Sequence, residues 1–458
     1  LFHWQRSGSH VDIRISLCSN IQATMGFLRI AIILHLIYLT SCMDQLHLIH
    51  EWSSFIHNFD NLPSEVVRSA KGMRPEAYVP TSLAVDNKTG SLFLAVPRLK
   101  SGVVSSINVL VGDRKLAPYP SWQAAESLEV VSAFKIHIDN CRRLWALDSG
   151  KMNMLDEANF TQHPPAIVIY DLDSNTLLRR YQIPTDQVKE DSLFTNIAVE
   201  DRDCLKTYAY AADTGKAGII VYSFEKNDSW RITHHYFHPD PLACDYNVKG
   251  LNFSWTNALY GLALSAPNPD NFSTLYFHPM SSFGEFTVST EYLRNQTIAD
   301  ENFDAFKHIG DRGVNAQSSA SFIDPTTGVL FYSLINLNAV ACWSTSNKEY
   351  TMKNQGRIYM NDTMMVYPAD IKVYNKTVWI LSNKLPMYMF GSLDPKEVNF
   401  RVFSAPVVEA ISHTACDIKP RLDILDKFVK KVTGGSAVNV ASLFVVMMSW
   451  LISFAVLF

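Results

Sequence analysis

Charge is scarce in this sequence. Of 458 residues only 18% are Asp, Glu, Lys or Arg, and the formal net charge is −4. No long basic run occurs, so nothing in the chain asks for nucleic acid. Apolar residues make up 47%, which excludes a disordered chain and supports a sizeable core. The common signatures of catalysis are missing too. There is no G-x-S-x-G elbow, no H-E-x-x-H and no glycine-rich phosphate loop. No C-x-x-C pair occurs, so a structural zinc site is not expected, and the sequence calls for no metal or other cofactor. The best metal-like cluster is His234-His235-Tyr236-Phe237-His238-Pro239-Asp240. On a strand His234 and His238 would share a face, but no fourth ligand is evident and the segment reads as a solvated strand end. Helical periodicity is rare outside the terminal segments.

What is present begins with an export signal. Residues 25–42 read as a signal peptide: Met25, the basic Arg29, an apolar stretch from Ile30 to Leu39, then the small residues of Thr40-Ser41-Cys42. Residues 1–24 form an upstream extension of no evident role. Export gives the remaining cysteines, Cys141, Cys204, Cys244, Cys342 and Cys416, a meaning, because an oxidising compartment favours two disulfides and one odd thiol. Eight N-x-[S/T] sequons, at Asn87, Asn159, Asn227, Asn252, Asn271, Asn295, Asn361 and Asn375, are candidate glycosylation sites. At the other end, 417–437 is a polar spacer, and 438–458 is apolar and uncharged, long enough to cross a bilayer. The small residues Gly434, Gly435 and Ser436 before it fit a GPI-attachment signal better than a retained transmembrane helix, since no Lys or Arg follows. The expected location is extracellular, secreted or attached to the outer cell surface through this tail.

Between these ends one phrase repeats. A short alternating strand enters a turn rich in Asn, Asp, Gly or Pro, and a second apolar strand leaves it and ends on polar residues. The copies are Ser82–Asp86 with Ser91–Val96, Phe134–Asp139 with Leu144–Leu147, Asn196–Glu200 with Thr207–Ala212, a weaker copy around Ser254–Ser265, Ser319–Asp324 with Val329–Leu334, and Asp370–Tyr374 with Val378–Leu381. Six copies at a spacing of roughly 50–60 residues predict an all-β fold, a six-bladed β-propeller with four-stranded blades around a central channel, over residues 45–416. A propeller has to join its last blade to its first or leave an exposed strand edge. Gln45–Trp52 alternates as a strand and is predicted to join the last blade.

Several segments resemble the insect yellow / major royal jelly protein family. They are Tyr78–Asp86, Leu116–Trp122, Cys141–Gly150, Gly310–Ser319 continuing to Val340–Trp343, and Val378–Lys384. The sequence departs from the family pattern at Leu99 and Leu385, where aromatics or Met are common, and in Gly102-Val103-Val104, which lacks a proline. The resemblance implies a six-bladed propeller, with roles that range from cuticle melanisation and dopachrome conversion to amine binding, nutrition and eggshell structure. Fold alone does not choose among these. Hairpin turns of adjacent blades lie side by side, which pairs Cys141 with Cys204. Cys342 follows the fifth hairpin and Cys416 closes the domain, which pairs those two. The resemblance supports both, and Cys244 is left as a free thiol.

The polar residues that end the second strands, Arg98, Asp148-Ser149, Asp213-Thr214, Ser265, Asn336 and Ser382-Asn383, are expected to ring one mouth of the channel. The starts of the inner strands, near Phe194, Asn196, Gln317 and Tyr367, are expected at the same face. From these, Asp148, Phe194, Asn196, Asp213, Tyr367 and Asn383 are the candidate ligand-binding residues. Aromatics beside carboxylates suit a small aromatic or biogenic-amine ligand. Three functions stand open. The first is a binding module for such a ligand, in pigmentation, cuticle or eggshell. The second is a dopachrome-converting isomerase or tautomerase, with Asp148 or Asp213 as the proton-transfer group. The third is a structural extracellular protein whose channel holds only water.

Overall fold

Six four-stranded antiparallel sheets stand around a common axis in the computed structural model, which describes residues 45–60 and 72–417. The expectations for residues 1–24, the signal at 25–42, the spacer, Gly434, Gly435 and Ser436, and the apolar tail lie outside the described residues. Among the described residues no helix is long and apolar enough to cross a membrane.

From the axis outward, blade 1 is Ser82–Val85, Leu92–Ala95, Ile107–Val111 and Lys115–Pro118, with Ile56–His57 added in parallel at its rim. Blade 2 is Ala133–Ile138, Arg143–Asp148, Ala166–Asp171 and Thr176–Gln182, and blade 3 is Phe194–Glu200, Tyr208–Asp213, Gly218–Ser223 and Asp228–Ile232. Blade 4 is Leu259–Leu264, Thr274–Pro279, Gly284–Ser289 and Lys307–Asp311, and blade 5 is Ser321–Asp324, Val329–Leu334, Ala339–Ser344 and Gln355–Met360. Blade 6 takes Pro368–Tyr374, Thr377–Ser382 and Phe400–Pro406 from the end of the domain and His47–Trp52 from its beginning. His47–Trp52 pairs antiparallel with Phe400–Pro406, Trp52 opposite Phe400, so the predicted closure is present.

Five of the six expected hairpins fall where the repeat places them. The fourth does not. Ser254–Ser265 is not one hairpin: Leu251–Ser254 belongs to a small hairpin with Asp245–Val248, and the blade 4 pair is Leu259–Leu264 with Thr274–Pro279. Ser265 therefore ends an inner strand and lies at the opposite end of the channel from the position expected for it. The alternation of Leu251 and Phe253 imitates a blade strand, and short apolar runs do not reveal which sheet they join.

The inner strands explain how the ring stays shut. Each touches the inner strand of the next blade, and that of blade 6 touches that of blade 1. At this seam the buried Asp370 of blade 6 accepts hydrogen bonds from Ser82 Oγ (2.5 Å) and Leu83 N (3.0 Å) of blade 1. It also pairs with Lys135 Nζ of blade 2 at 2.8 Å and Lys372 Nζ at 3.3 Å. Lys135 is fully buried and donates to the carbonyls of Thr81 and Ala369 as well. Burial pushes the Lys135 ammonium down to about 8, against the pull of Asp370. Burial raises Asp370, but the two lysines more than offset it and hold the carboxyl below its usual range. One carboxylate thus ties three blades. At the periphery, disulfides join Cys141 to Cys204 and Cys342 to Cys416, as expected, and Cys244 is free. Closing loops of 63 and 74 residues, each contributes up to ~4 kcal/mol in the chain-entropy model. Such disulfides fit an extracellular protein.

Four buried histidines, His57, His137, His234 and His278, sit in this frame, and burial lowers each below the ordinary histidine value. Burial lowers His57 to about 4, His137 to about 3 and His234 to about 4. Below the ordinary histidine value of 6.5 the unfolded chain binds these protons while the folded chain does not, so stability falls as pH drops. We predict that the urea midpoint declines steadily from pH 6.5 to pH 4, and that His137→Gln removes part of the decline. An unchanged slope in that variant would contradict the assignment.

Candidate ligand cavity at the channel mouth

A cavity of about 560 Å³ opens at the face where the inner strands begin. Its floor is supplied by the residues that start them: Thr81 and Phe134 for blades 1 and 2, Thr195 for blade 3, Asn257 and Tyr260 for blade 4, and Tyr367 for blade 6. A propeller brings these positions together because all its inner strands run in one direction, whatever their distance in sequence. The walls come from connections. A strap between the second and third strands of blade 2 contributes Met152, Met154, Leu155 and Phe160. The loop before blade 3 contributes Glu190, Asp191 and Leu193, and the short helix Leu385–Phe390 contributes Leu385 and Met389. Trp255 follows the small hairpin 245–254, which Gln317 and Asn336 hold in place through its backbone.

The interior is aromatic and thioether-rich. Trp255 stands edge-on to Tyr367 at 6.3 Å and packs against Phe253 at 4.6 Å. Tyr367 is held at φ 49°, a left-handed conformation that costs a non-glycine residue on the order of 1–3 kcal/mol and persists where surrounding structure enforces it. Burial raises the phenols of Tyr260 and Tyr367 above their ordinary value, so both remain protonated donors. Charged groups come from the strap and from the loop before blade 3. Glu190 and Asp191 line the cavity, Asp191 pairs with Lys216 at 3.0 Å, and Lys151 Nζ donates to Ser192 O at 3.0 Å. This arrangement can stack a planar ring inside and meet a cation at its rim.

Of the six ligand residues expected from sequence, Tyr367 lines this cavity. The other five lie behind its surface, and their hydrogen bonds explain why. Asp148 is fully buried and accepts from Val131 N, Ser132 N, Gly150 N and Arg180. Asp213 repeats the pattern one blade on, accepting from Ser192 Oγ, Leu193 N, Lys216 N and Arg231. In both, the carboxylate at the end of the second strand grips the loop that enters the inner strand and an arginine of the outermost strand. Neither is placed to exchange a proton with a molecule in the cavity. Phe194 packs in the core between blades 2 and 3, Asn196 donates to Tyr260 O, and Asn383 donates to Pro80 O and accepts from Leu385 N. Ser265 aside, the residues expected to ring the mouth mainly build the scaffold. Arg98 donates to the carbonyls of Val103, Val104, Val130 and Val131, Ser382 donates to Val366 O, and of the ring only Thr214 reaches the cavity.

Sequence reasoning missed Phe134, Trp255, Tyr260 and the strap. The signal for the first and third was present, since each lies within two residues of an inner-strand start. Two departures from the family pattern, Leu99 and Leu385, both line the cavity. His234 and His238 do not share a strand face: they flank the single 3-10 turn His235–Phe237, and His234 is buried against Phe306 at 4.2 Å. Among the described residues Asp139, Cys141 and Asp201 bring three ligand-type atoms within 4.8 Å, but the Cys141 sulfur is in a disulfide and Asp139 is bonded to Arg143 and Trp145. A second, smaller cavity of about 240 Å³ lies at the far end of the channel, beside His137 and Lys372.

The fold and its mouth define a propeller with a ligand-sized cavity, and the comparisons place it among known proteins. The model of the major royal jelly protein family matches residues 131–416. The dopaminechrome tautomerase of Drosophila melanogaster is 35% identical over 398 residues, covering 82% of this chain and 84% of that one. Protein yellow of Drosophila madeirensis is 35% identical over 389 residues, covering 81% and 67% respectively. This chain belongs to the yellow / major royal jelly protein family.

Asp213 is predicted to carry stability. Removing one partner of a buried ion pair costs about 3–5 kcal/mol, so Asp213→Ala should lower the urea midpoint strongly by leaving Arg231 unpaired. A midpoint equal to that of the parent protein would show that Asp213 has another role.

Proposed function

We propose that the protein is an extracellular propeller that holds a small aromatic amine in the cavity at its channel mouth. The observation that carries this reading is the pairing of an aromatic, thioether-rich interior with Glu190 and Asp191 at one side. A flat ring gains dispersion and edge-to-face contacts with Trp255, Tyr260 and Phe134, and an ammonium gains a carboxylate without losing all its water. Leu99 and Leu385 give the cavity aliphatic walls where family members often carry larger or more polarizable side chains, so its ligand preference is its own.

A second reading is favoured by one observation, the 35% identity to a dopaminechrome tautomerase. A tautomerase moves one proton from carbon to a heteroatom and changes nothing else in composition. In this chain the proton would pass through groups that face the cavity, Glu190, Asp191, Lys151 or the Tyr260 phenol, and not through Asp148 or Asp213. Both readings use one cavity and differ in whether a proton is transferred there.

Titration calorimetry with dopamine and with catechol, which lacks the amine, tests the first reading. Dopamine should bind more tightly. Trp255→Ala should weaken both by about tenfold, equivalent to ~1.4 kcal/mol, whereas Glu190→Gln with Asp191→Asn should weaken dopamine alone. Absence of binding by either compound would overturn the binding reading. Loss of the dopaminechrome absorbance faster than in buffer, abolished by the same carboxylate pair, would establish the second.

A further inference from the structure

One of the eight sequons differs from the others in position. Asn159, Phe160 and Thr161 all line the cavity, and the acceptors of the remaining seven do not. Asn159 and Thr161 are exposed, and Phe160 is 49% exposed.

The strap that carries this sequon is fixed. At its base Gly150 has φ +68° and a Cβ there would collide with His163 O, while Gln162 N donates to Gly150 O at 2.9 Å. Lys151–Met152 pairs with Phe160–Thr161 as a short ladder. Across the rim, Leu155 N donates to Leu99 O at 2.8 Å and Ser101 N to Asp156 Oδ2 at 2.7 Å, both tying the strap to blade 1. Asn159 Nδ2 donates to Asp156 O at 3.1 Å. An amide nitrogen has two protons, so attachment of a sugar leaves one for this bond.

We propose that Asn159 carries an N-linked oligosaccharide that covers the strap side of the mouth and sets the size of molecule that enters. Attachment during export forms a bond between the anomeric carbon and Asn159 Nδ2. It breaks the sugar–phosphate bond of a lipid pyrophosphate donor, and the amide proton leaves with the pyrophosphate. Because the strap is tied at both ends, the first sugars stand at a fixed place on the rim. Small free amines pass beside them, and catechols attached to a polymer or a protein do not. The inference takes from the proposed function only that ligands enter here, and its test needs no ligand.

The test is oxidation of the cavity methionines in protein secreted from insect cells. Peptide mass spectrometry reads occupancy at Asn159 and the oxidation rates of Met152 and Met154 under two oxidants, hydrogen peroxide and an N-chlorosulfonamide attached to a soluble polymer. In Asn159→Gln, in Thr161→Ala, and in folded parent protein treated with a peptide N-glycosidase, the polymer-bound oxidant should react several-fold faster than in untreated parent protein, with the peroxide rate unchanged. Asn87→Gln, which removes a sequon in the first turn of blade 1 at the opposite face, should leave both rates alone. The enzymatic arm keeps the test decisive if a variant is not secreted. An unoccupied Asn159, or equal rates for the polymer-bound oxidant with and without the sugar, would overturn the proposal while leaving ligand binding itself untouched.

Discussion

The carboxylate of Asp370 is the constraint on which the ring depends. It lies on the last blade, takes a hydroxyl and an amide from the first, and neutralises a fully buried lysine of the second. Removing it would leave two buried ammonium groups, Lys135 and Lys372, facing each other across the seam, a far larger penalty than loss of a surface pair. The polar seam at the axis and the strand His47–Trp52 at the rim close the same ring at two radii. Closure matters for function because the cavity floor is made of residues from blades 1, 2, 3, 4 and 6, and its shape exists only when all of them are in register.

The same economy runs through the blades. Asp148 and Asp213 occupy equivalent positions and do the same work, gripping the loop into the inner strand and an arginine at the outer strand. In blade 5 Ser333 takes part of this role, accepting from Ser319 N and Ala320 N. Satisfying loop amides in this way lets the connecting segments be buried near the mouth without unpaired backbone groups. The scaffold therefore consumes most of the polar residues that repeat, and the cavity walls are built from segments that do not: Trp255, the strap, the loop at Glu190 and the helix at Leu385.

That division explains what could be read from sequence. Repetition announces itself, so the blade count, the closing strand and both disulfides were legible from hairpin spacing and turn residues. The one blade read out of register, the fourth, is preceded by the extra hairpin 245–254, whose Leu251 and Phe253 alternate like a blade strand. For the site, an acidic residue at a strand end looks the same whether it faces a cavity or a backbone amide. Only the three-dimensional course of the loops shows that Asp148 and Asp213 face inward and that Trp255, just after the extra hairpin, faces the mouth. Leu99 and Leu385 carried a signal as departures from the family pattern, and the fold converts both into cavity walls.

The channel mouth is the proposed seat of the ligand. A crystal of the secreted domain soaked with dopamine tests it most directly. Density for the ring is expected between Trp255 and Tyr260, with the ammonium within hydrogen-bonding distance of Glu190 or Asp191. Dopamine seated instead beside His137 and Lys372 at the far end of the channel would contradict it.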